Sequence, residues 1–245
     1  MPTPRAPKPR DPAKTRARIL KVAIAEFAAK GYSGARTEQI ARRAQSNIRM
    51  LYHYFGGKDA LYVCVLEEVL SQLRREELQL DFDDAEPLDG VLQMADFIDA
   101  HFAARPELRG LLAFENLNRA QHLKRSVKIR DMASPVIALL DKLLRRGADA
   151  GVFRPGVDAL HLYVAMVSLA YYSRAHAHTL SHIFQVDLLA PQWQLDHRTQ
   201  TRGMLTNFLC NVEAGRGSAC LARTAASSFE RPSSSVTRKR KRSNP

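Results

Sequence analysis

Tryptophan occurs once and cysteine three times in these 245 residues. Three cysteines cannot all pair within one chain. The scattered spacing of Cys64, Cys210 and Cys220 also fits neither a disulfide framework nor a zinc site. They read as reduced thiols, with apolar neighbours Val63, Val65 and Leu209 favouring inert ones. No apolar run approaches the roughly eighteen residues of a membrane span; the longest candidate, residues 160–172, is interrupted by His161 and Ser168. Motifs that carry common enzyme chemistry are missing as well: there is no GxGxxG, no GxxxxGK followed by Ser or Thr, no GxSxG and no HExxH. Neither an enzyme nor a cofactor is therefore expected. His178 and His182 stand four apart with His176 nearby, but no cysteine or acidic residue follows at ligand spacing, so no metal site is expected. The opening MPTPRAPKPRDP is basic and proline-rich with no apolar stretch behind it, unlike a secretory signal, and a cytoplasmic location is expected.

What is abundant is positive charge, and its placement is uneven. The net charge is +12, divided as +10 over residues 1–58, −5 over residues 59–215 and +7 over residues 216–245. Clustered Lys and Arg on one part of an otherwise acidic chain is what a polyanion-binding head on an unrelated body produces. The basic C-terminal run, with RKRKR near its end, reads as a solvated tail.

Hydrophobic spacing gives helices throughout. Residues 1–11 hold four prolines between Arg and Lys and are expected to be a disordered basic arm. An amphipathic helix follows, with Ile19, Leu20, Ala23, Ile24 and Phe27 on one stripe, ending at Gly31 in a left-handed C-cap. Thr37 is expected to cap a short second helix that turns Ile40, Ala41 and Ala44 inward. Asn47 caps a third. At 100° per residue, Ile48, Leu51, Tyr52 and Phe55 fall on one arc of it and Arg49, Met50, His53 and Tyr54 on the other. Gly56-Gly57 stops that helix and Lys58 opens a longer one to about residue 80. Helices are then expected at residues 88–104, 106–119, 126–150, 158–178 and 197–214, with GVFRPGV as a turn. The division read from this is a disordered basic arm 1–11, a basic helical head 12–58, a helical body 59–215 and a disordered basic tail 216–245.

Three short helices with a tight turn before the third are the parts of a helix-turn-helix, whose last helix enters the major groove. Here the chain resembles the TetR family of regulators, through Phe27-x3-Gly31, Thr37-x2-Ile40-Ala41 and the string Leu51-Tyr52-His53-Tyr54-Phe55-x2-Lys58-x2-Leu61. The resemblance implies an all-α fold: an N-terminal helix-turn-helix domain joined to a larger helical ligand-binding and dimerisation domain. It implies a homodimer that reads a palindromic DNA operator, usually as a repressor, and responds to a small-molecule effector in the body. One departure stands out. The family's usual turn is Ala-Gly-Val-Ser, whereas this chain has Ala44-Gln45-Ser46-Asn47, so Asn47 keeps the capping chemistry while the loss of glycine implies a more strained turn.

The candidate DNA contacts divide by chemistry. Arg36, Thr37, Tyr52 and Lys58 lie where family members commonly touch phosphates, and all can donate to phosphate oxygens. Arg49, Met50 and His53 face outward on the third helix and are the candidates for base edges, with Gln45 and Asn47 beside them in the turn. Arg49 suits guanine O6/N7, and Met50 suits a thymine methyl. In the body, Phe97, His101, Phe114, Asn118, Tyr163 and Tyr171 are candidates to line an effector pocket. Apolar surface beyond one core, at Leu160, Tyr163, Val164, Val167 and Leu169 and at Met204, Leu205, Phe208 and Leu209, is expected to pair two chains. The composition also allows another reading, a helical small-molecule- or protein-binding module whose basic head binds nucleic acid without sequence preference. Competition by random duplex separates the two.

Overall fold

The computed structural model describes residues 11–80, 82, 84–132 and 134–210, and among these the regular elements are helices. The expected arm and tail lie outside the described residues but for Asp11. Helix α1 (Pro12–Gly34) starts where the sequence signals it, because the Asp11 carboxylate accepts from the backbone N–H groups of Ala13 and Lys14 and proline fits the first turn. Gly31 leaves helical geometry at φ 67°, and one further turn carries the chain to Gly34. Helices α2 (Thr37–Arg43) and α3 (Ile48–Phe55) follow, then α4 (Lys58–Glu77) after Gly56 at φ 81°. Ile19, Phe27, Ile40, Leu51 and Phe55 close over Leu61, Tyr62, Val65 and Leu66 of α4 as one apolar cluster.

Farther along, α4 changes partners. Leu73 belongs to a second cluster built by α5 (Pro87–Ala104), α8 (Ser134–Asp149), α9 (Ala159–Ala175) and α11 (Pro191–Leu209), with Ile98, Phe102, Leu140, Phe153, Met166 and Leu205 at its centre. Helix α6 (Pro106–Leu117) bridges the two by lying across α1, and Leu111 is buried in the first cluster. The crossing is close: a Cβ on Gly110 would stand 2.5 Å from the Ala28 carbonyl oxygen, and one on Gly31 would strike the Phe114 ring at 2.7 Å.

Several boundaries differ from the sequence reading. The helix expected at 126–150 is broken into α7 (Val127–Asp131), capped by the Ser126 hydroxyl accepting from the Ile129 N–H, and α8, since Pro135 is accommodated only in a first helical turn. The helix expected at 158–178 stops at His176 (φ −108°, ψ 12°), and a separate α10 (Ala177–Phe184) follows. Helix α11 begins at Pro191 rather than 197; its first turns are polar and show no apolar period. Arg36, not Thr37, is the N-cap of α2, so Thr37 is its first helical residue and is buried. Cys64 is a free thiol, but Cys210 is in a disulfide, which corrects the reading of all cysteines as reduced. No helix among the described residues is long and apolar enough to cross a membrane.

Candidate nucleic-acid interface

The turn between α2 and α3 is a compact set of backbone bonds. Ala44 N–H donates to the Ile40 carbonyl, Gln45 N–H to that of Arg42 and Ser46 N–H to that of Ala41. Gln45 stands at φ 49°, the left-handed region that a glycine would occupy without strain. From α1, the Arg18 guanidinium donates to the Gln45 carbonyl at 3.3 Å and ties the turn down. Asn47 then caps α3 as expected, its side-chain oxygen accepting from the Met50 N–H at 2.8 Å.

Helix α3 is amphipathic for a physical reason visible in its contacts. Leu51 and Phe55 are fully inside, with the Arg16 guanidinium covering the Phe55 ring at 4.9 Å. Arg49 and His53 are exposed and Met50 half-exposed, on the opposite side. No carboxylate pairs with Arg36 or Arg49 among the described residues, which leaves both cations available to an anion. The two tyrosines exchange the places assigned by the helical wheel: Tyr54 packs against the core, whereas Tyr52 is 44% exposed. Position 52 lies near the edge of the buried arc, and the Tyr52 hydroxyl reaches 3.4 Å from the Thr37 hydroxyl, joining α3 to the start of α2.

Lys58 opens α4 with its ammonium 4.8 Å over the Tyr32 ring, while the Tyr32 hydroxyl donates to Asp59. Nine sequence-predicted residues thus gather on α2, the turn, α3 and the head of α4. Behind them sits a buried acid with two cationic partners that sequence reasoning missed. Burial raises the Glu26 carboxyl, but Lys30 at 2.6 Å and Arg43 at 2.7 Å outweigh it and hold the group below its ordinary range. Glu26 thereby fixes α2 against α1. Its position on the apolar stripe of α1 was the available signal, since a buried acid demands cationic partners.

In the body the six predicted pocket residues are only partly brought together. Phe97 lies against His101, ring centres 5.7 Å apart, and Tyr171 meets Phe102 at 5.4 Å. His101 shares a hydrogen bond with Glu76, to which Arg105 also donates. Tyr163 is buried and donates to Glu77 at 2.7 Å, while the Arg74 guanidinium donates to both. Burial raises both the Tyr163 hydroxyl and the Glu77 carboxyl above their ordinary ranges. Phe114 and Asn118 stand apart from these: Phe114 covers Gly31 at the α1–α6 crossing, and the exposed Asn118 amide donates back to the Phe114 carbonyl. A cavity of about 590 Å³ opens instead among the turn after Phe153, α9 and the end of α11, lined by Arg154, Asp158, His161, Met204 and Phe208 among others.

The apolar face expected on the last helices is also sorted by the structure. Tyr163, Leu205 and Leu209 turn into the chain's own core, whereas Leu160, Val164, Tyr172, Leu195, Met204 and Phe208 are exposed. On α10, Ile183 and Phe184 are exposed too.

Two family models match the sequence: bacterial regulatory proteins of the tetR family over residues 19–64, and the tetracyclin repressor-like C-terminal domain over residues 87–205. The HTH-type transcriptional repressor NicS of Pseudomonas putida is 34% identical over 76% of this chain and 88% of its own length. The HTH-type transcriptional repressor SCO4008 of Streptomyces coelicolor is 36% identical over 66% and 80%. Among solved structures, the transcriptional regulator SCO4942 of Streptomyces coelicolor superposes with a TM-score of 0.61 at 28% identity, covering 80% of this chain and 98% of that one. Motif, fold and relatives agree that this is a DNA-binding regulator of transcription, and the chain belongs to the TetR family.

Proposed function

We propose that the chain acts as a homodimeric repressor in the cytoplasm, binding a palindromic operator with one head per half-site and released or retuned by a small molecule in the helical body. The division into head 12–58 and body 59–215 goes with that reading. Its main support is α3, whose inner face is locked by Leu51 and Phe55 while Arg49, Met50 and His53 lie on the opposite side, with no carboxylate paired to Arg49 among the described residues. Arg49, Met50 and His53 then meet base edges in the major groove, with Gln45 and Asn47 at the turn beside them. Arg36, Thr37, Tyr52 and Lys58 hold phosphates on either side. Dimerisation is supported by the exposed apolar residues of α9 and α11, which a second copy would cover as a four-helix interface. For the effector, Phe97, His101, Tyr163 and Tyr171 remain the candidates, joined by Arg74 and Glu77, because an aromatic wall with a few buried polar groups suits a small organic molecule.

Selection from a pool of random duplexes tests the reading. Retained sequences are expected to share an inverted repeat whose halves lie about one helical turn apart, or a multiple of it, and to resist a large excess of random DNA. Retention without sequence enrichment would replace this function by non-specific nucleic-acid binding.

A further inference from the structure

We propose that the segment linking α6 to α8 carries a second phosphate-binding surface, which extends the grip on double-stranded DNA beyond the helix-turn-helix. Arg119, Lys124, Arg125, Lys128 and Arg130 fall within twelve residues, with no acidic residue among them until Asp131. All five side chains are exposed. This is an island of positive charge in a stretch, residues 59–215, whose net charge is −5.

The segment is attached to the head. Its apolar residues Leu123 and Ile129 pack on the cluster of α1 to α4, not on the cluster of the body. Arg125 donates to Asp59 at 2.8 Å, beside Lys58 at the start of α4, and Ser126 donates to Glu67 at 2.6 Å farther along the same helix. Helix α7, which carries Lys128, packs against α4. Burial pushes the Cys64 thiol up and Glu67 adds to that, while the charges of Arg16 and Lys128 oppose it. Cations thus stand along α4, from Lys58 at its head past Arg125, which pairs with Asp59, to α7 with Lys128 and Arg130.

Two observations point to an anion outside the chain. Like charges so close repel one another, yet among the described residues no carboxylate pairs with Arg119, Lys124 or Lys128, and Arg130 has only an exposed pair with Asp131 at 3.5 Å. The loop is also held in one shape: Arg119 and Ala120 both have left-handed φ values, and the buried Glu115 carboxylate accepts from the N–H groups of His122 and Leu123 and binds the His122 ring at 2.8 Å. Unpaired cations on a fixed loop beside a DNA-binding head suit phosphates in an extended row.

The test uses the full chain and a duplex of about 30 base pairs of arbitrary sequence, because phosphate contacts carry no sequence information. Each contact removed lowers the magnitude of the log–log salt slope by about 0.9. The double variant Lys124→Gln with Lys128→Gln, counted over two protomers, is therefore expected to lower it by about 2 to 4 with unchanged circular dichroism. Lys124→Arg with Lys128→Arg should keep the parental slope. Arg145→Gln, which removes an exposed charge on α8, should keep it too. An unaltered slope in the double Gln variant would overturn the proposal, as would an equal loss per charge in Arg145→Gln. A parent that bound no duplex even at low salt would instead overturn DNA binding as a whole.

Discussion

Gly110→Ala probes the joint through which body and head must communicate. In the middle of α6 this change would ordinarily stabilise a helix, by about 1 kcal/mol. Here the new methyl would stand 2.5 Å from the Ala28 carbonyl oxygen and 3.3 Å from the carbonyl carbon. Both belong to the backbone of α1, so no side-chain rotation relieves the clash, and the two helices must separate by most of an ångström to reach ordinary contact. Overpacking of this kind costs about 1–3 kcal/mol, and opening the crossing also loosens Phe114 from Gly31. The clash should at least cancel the propensity gain, leaving a net loss of up to about 2 kcal/mol. Urea unfolding at one fixed protomer concentration measures it, since dimerisation would make the midpoint concentration-dependent. Ala113→Gly, at an exposed site on the same helix, calibrates propensity alone at about 1 kcal/mol of destabilisation. Should Gly110→Ala prove more stable than the parent, the α1–α6 crossing is not as tight as described.

Three further outcomes follow from the same geometry. Gln45→Gly relieves a left-handed residue and should raise the unfolding midpoint by the equivalent of about 1 kcal/mol; no gain in a thermal melt would mean the turn is unstrained. Leu160→Ser with Phe208→Ser should raise the dimer dissociation constant about tenfold or more by analytical ultracentrifugation, and an unchanged constant would move the interface elsewhere. Burial holds the His101 imidazole below its ordinary range, against the pull of Glu76. The unfolded chain then takes up a proton that the folded one resists, so the contribution is complete above about pH 6.5 and is lost as pH falls below it. His101→Asn should shrink the drop in Tm between about pH 7.5 and 5.5, and an equal drop in both proteins would refute this.

Much of the head was legible because local rules decide it. Asn47 is a cap whose bonding needs only a neighbouring backbone, and the burial of Leu51 and Phe55 follows from the period of the helix. Tyr52 escaped that logic because an edge position is settled by tertiary contacts, here with Thr37. In the body, the placement of Phe114 and Asn118 depends on α6 lying across α1 rather than facing the interior, and no spacing within α6 encodes that choice. The break at His176 likewise has no glycine or proline to announce it. Glu77, Arg74 and Tyr163 join through residues nearly ninety apart in sequence, an encounter that only the packed fold brings about.

Titration of the selected operator and its single-base variants, at several salt concentrations, with Arg49→Ala and Lys58→Ala tests most directly how the head reads DNA. Arg49→Ala is expected to lose about 1–3 kcal/mol on the operator and to relax discrimination at one base pair per half-site, as loss of a base-edge contact requires. Lys58→Ala should weaken every duplex about equally and lower the salt slope by about one per half-site, as loss of a phosphate contact requires. If Arg49→Ala weakened all sequences alike, the arginine would belong to the phosphates, and reading of the bases would have to rest on Met50, His53 and Gln45.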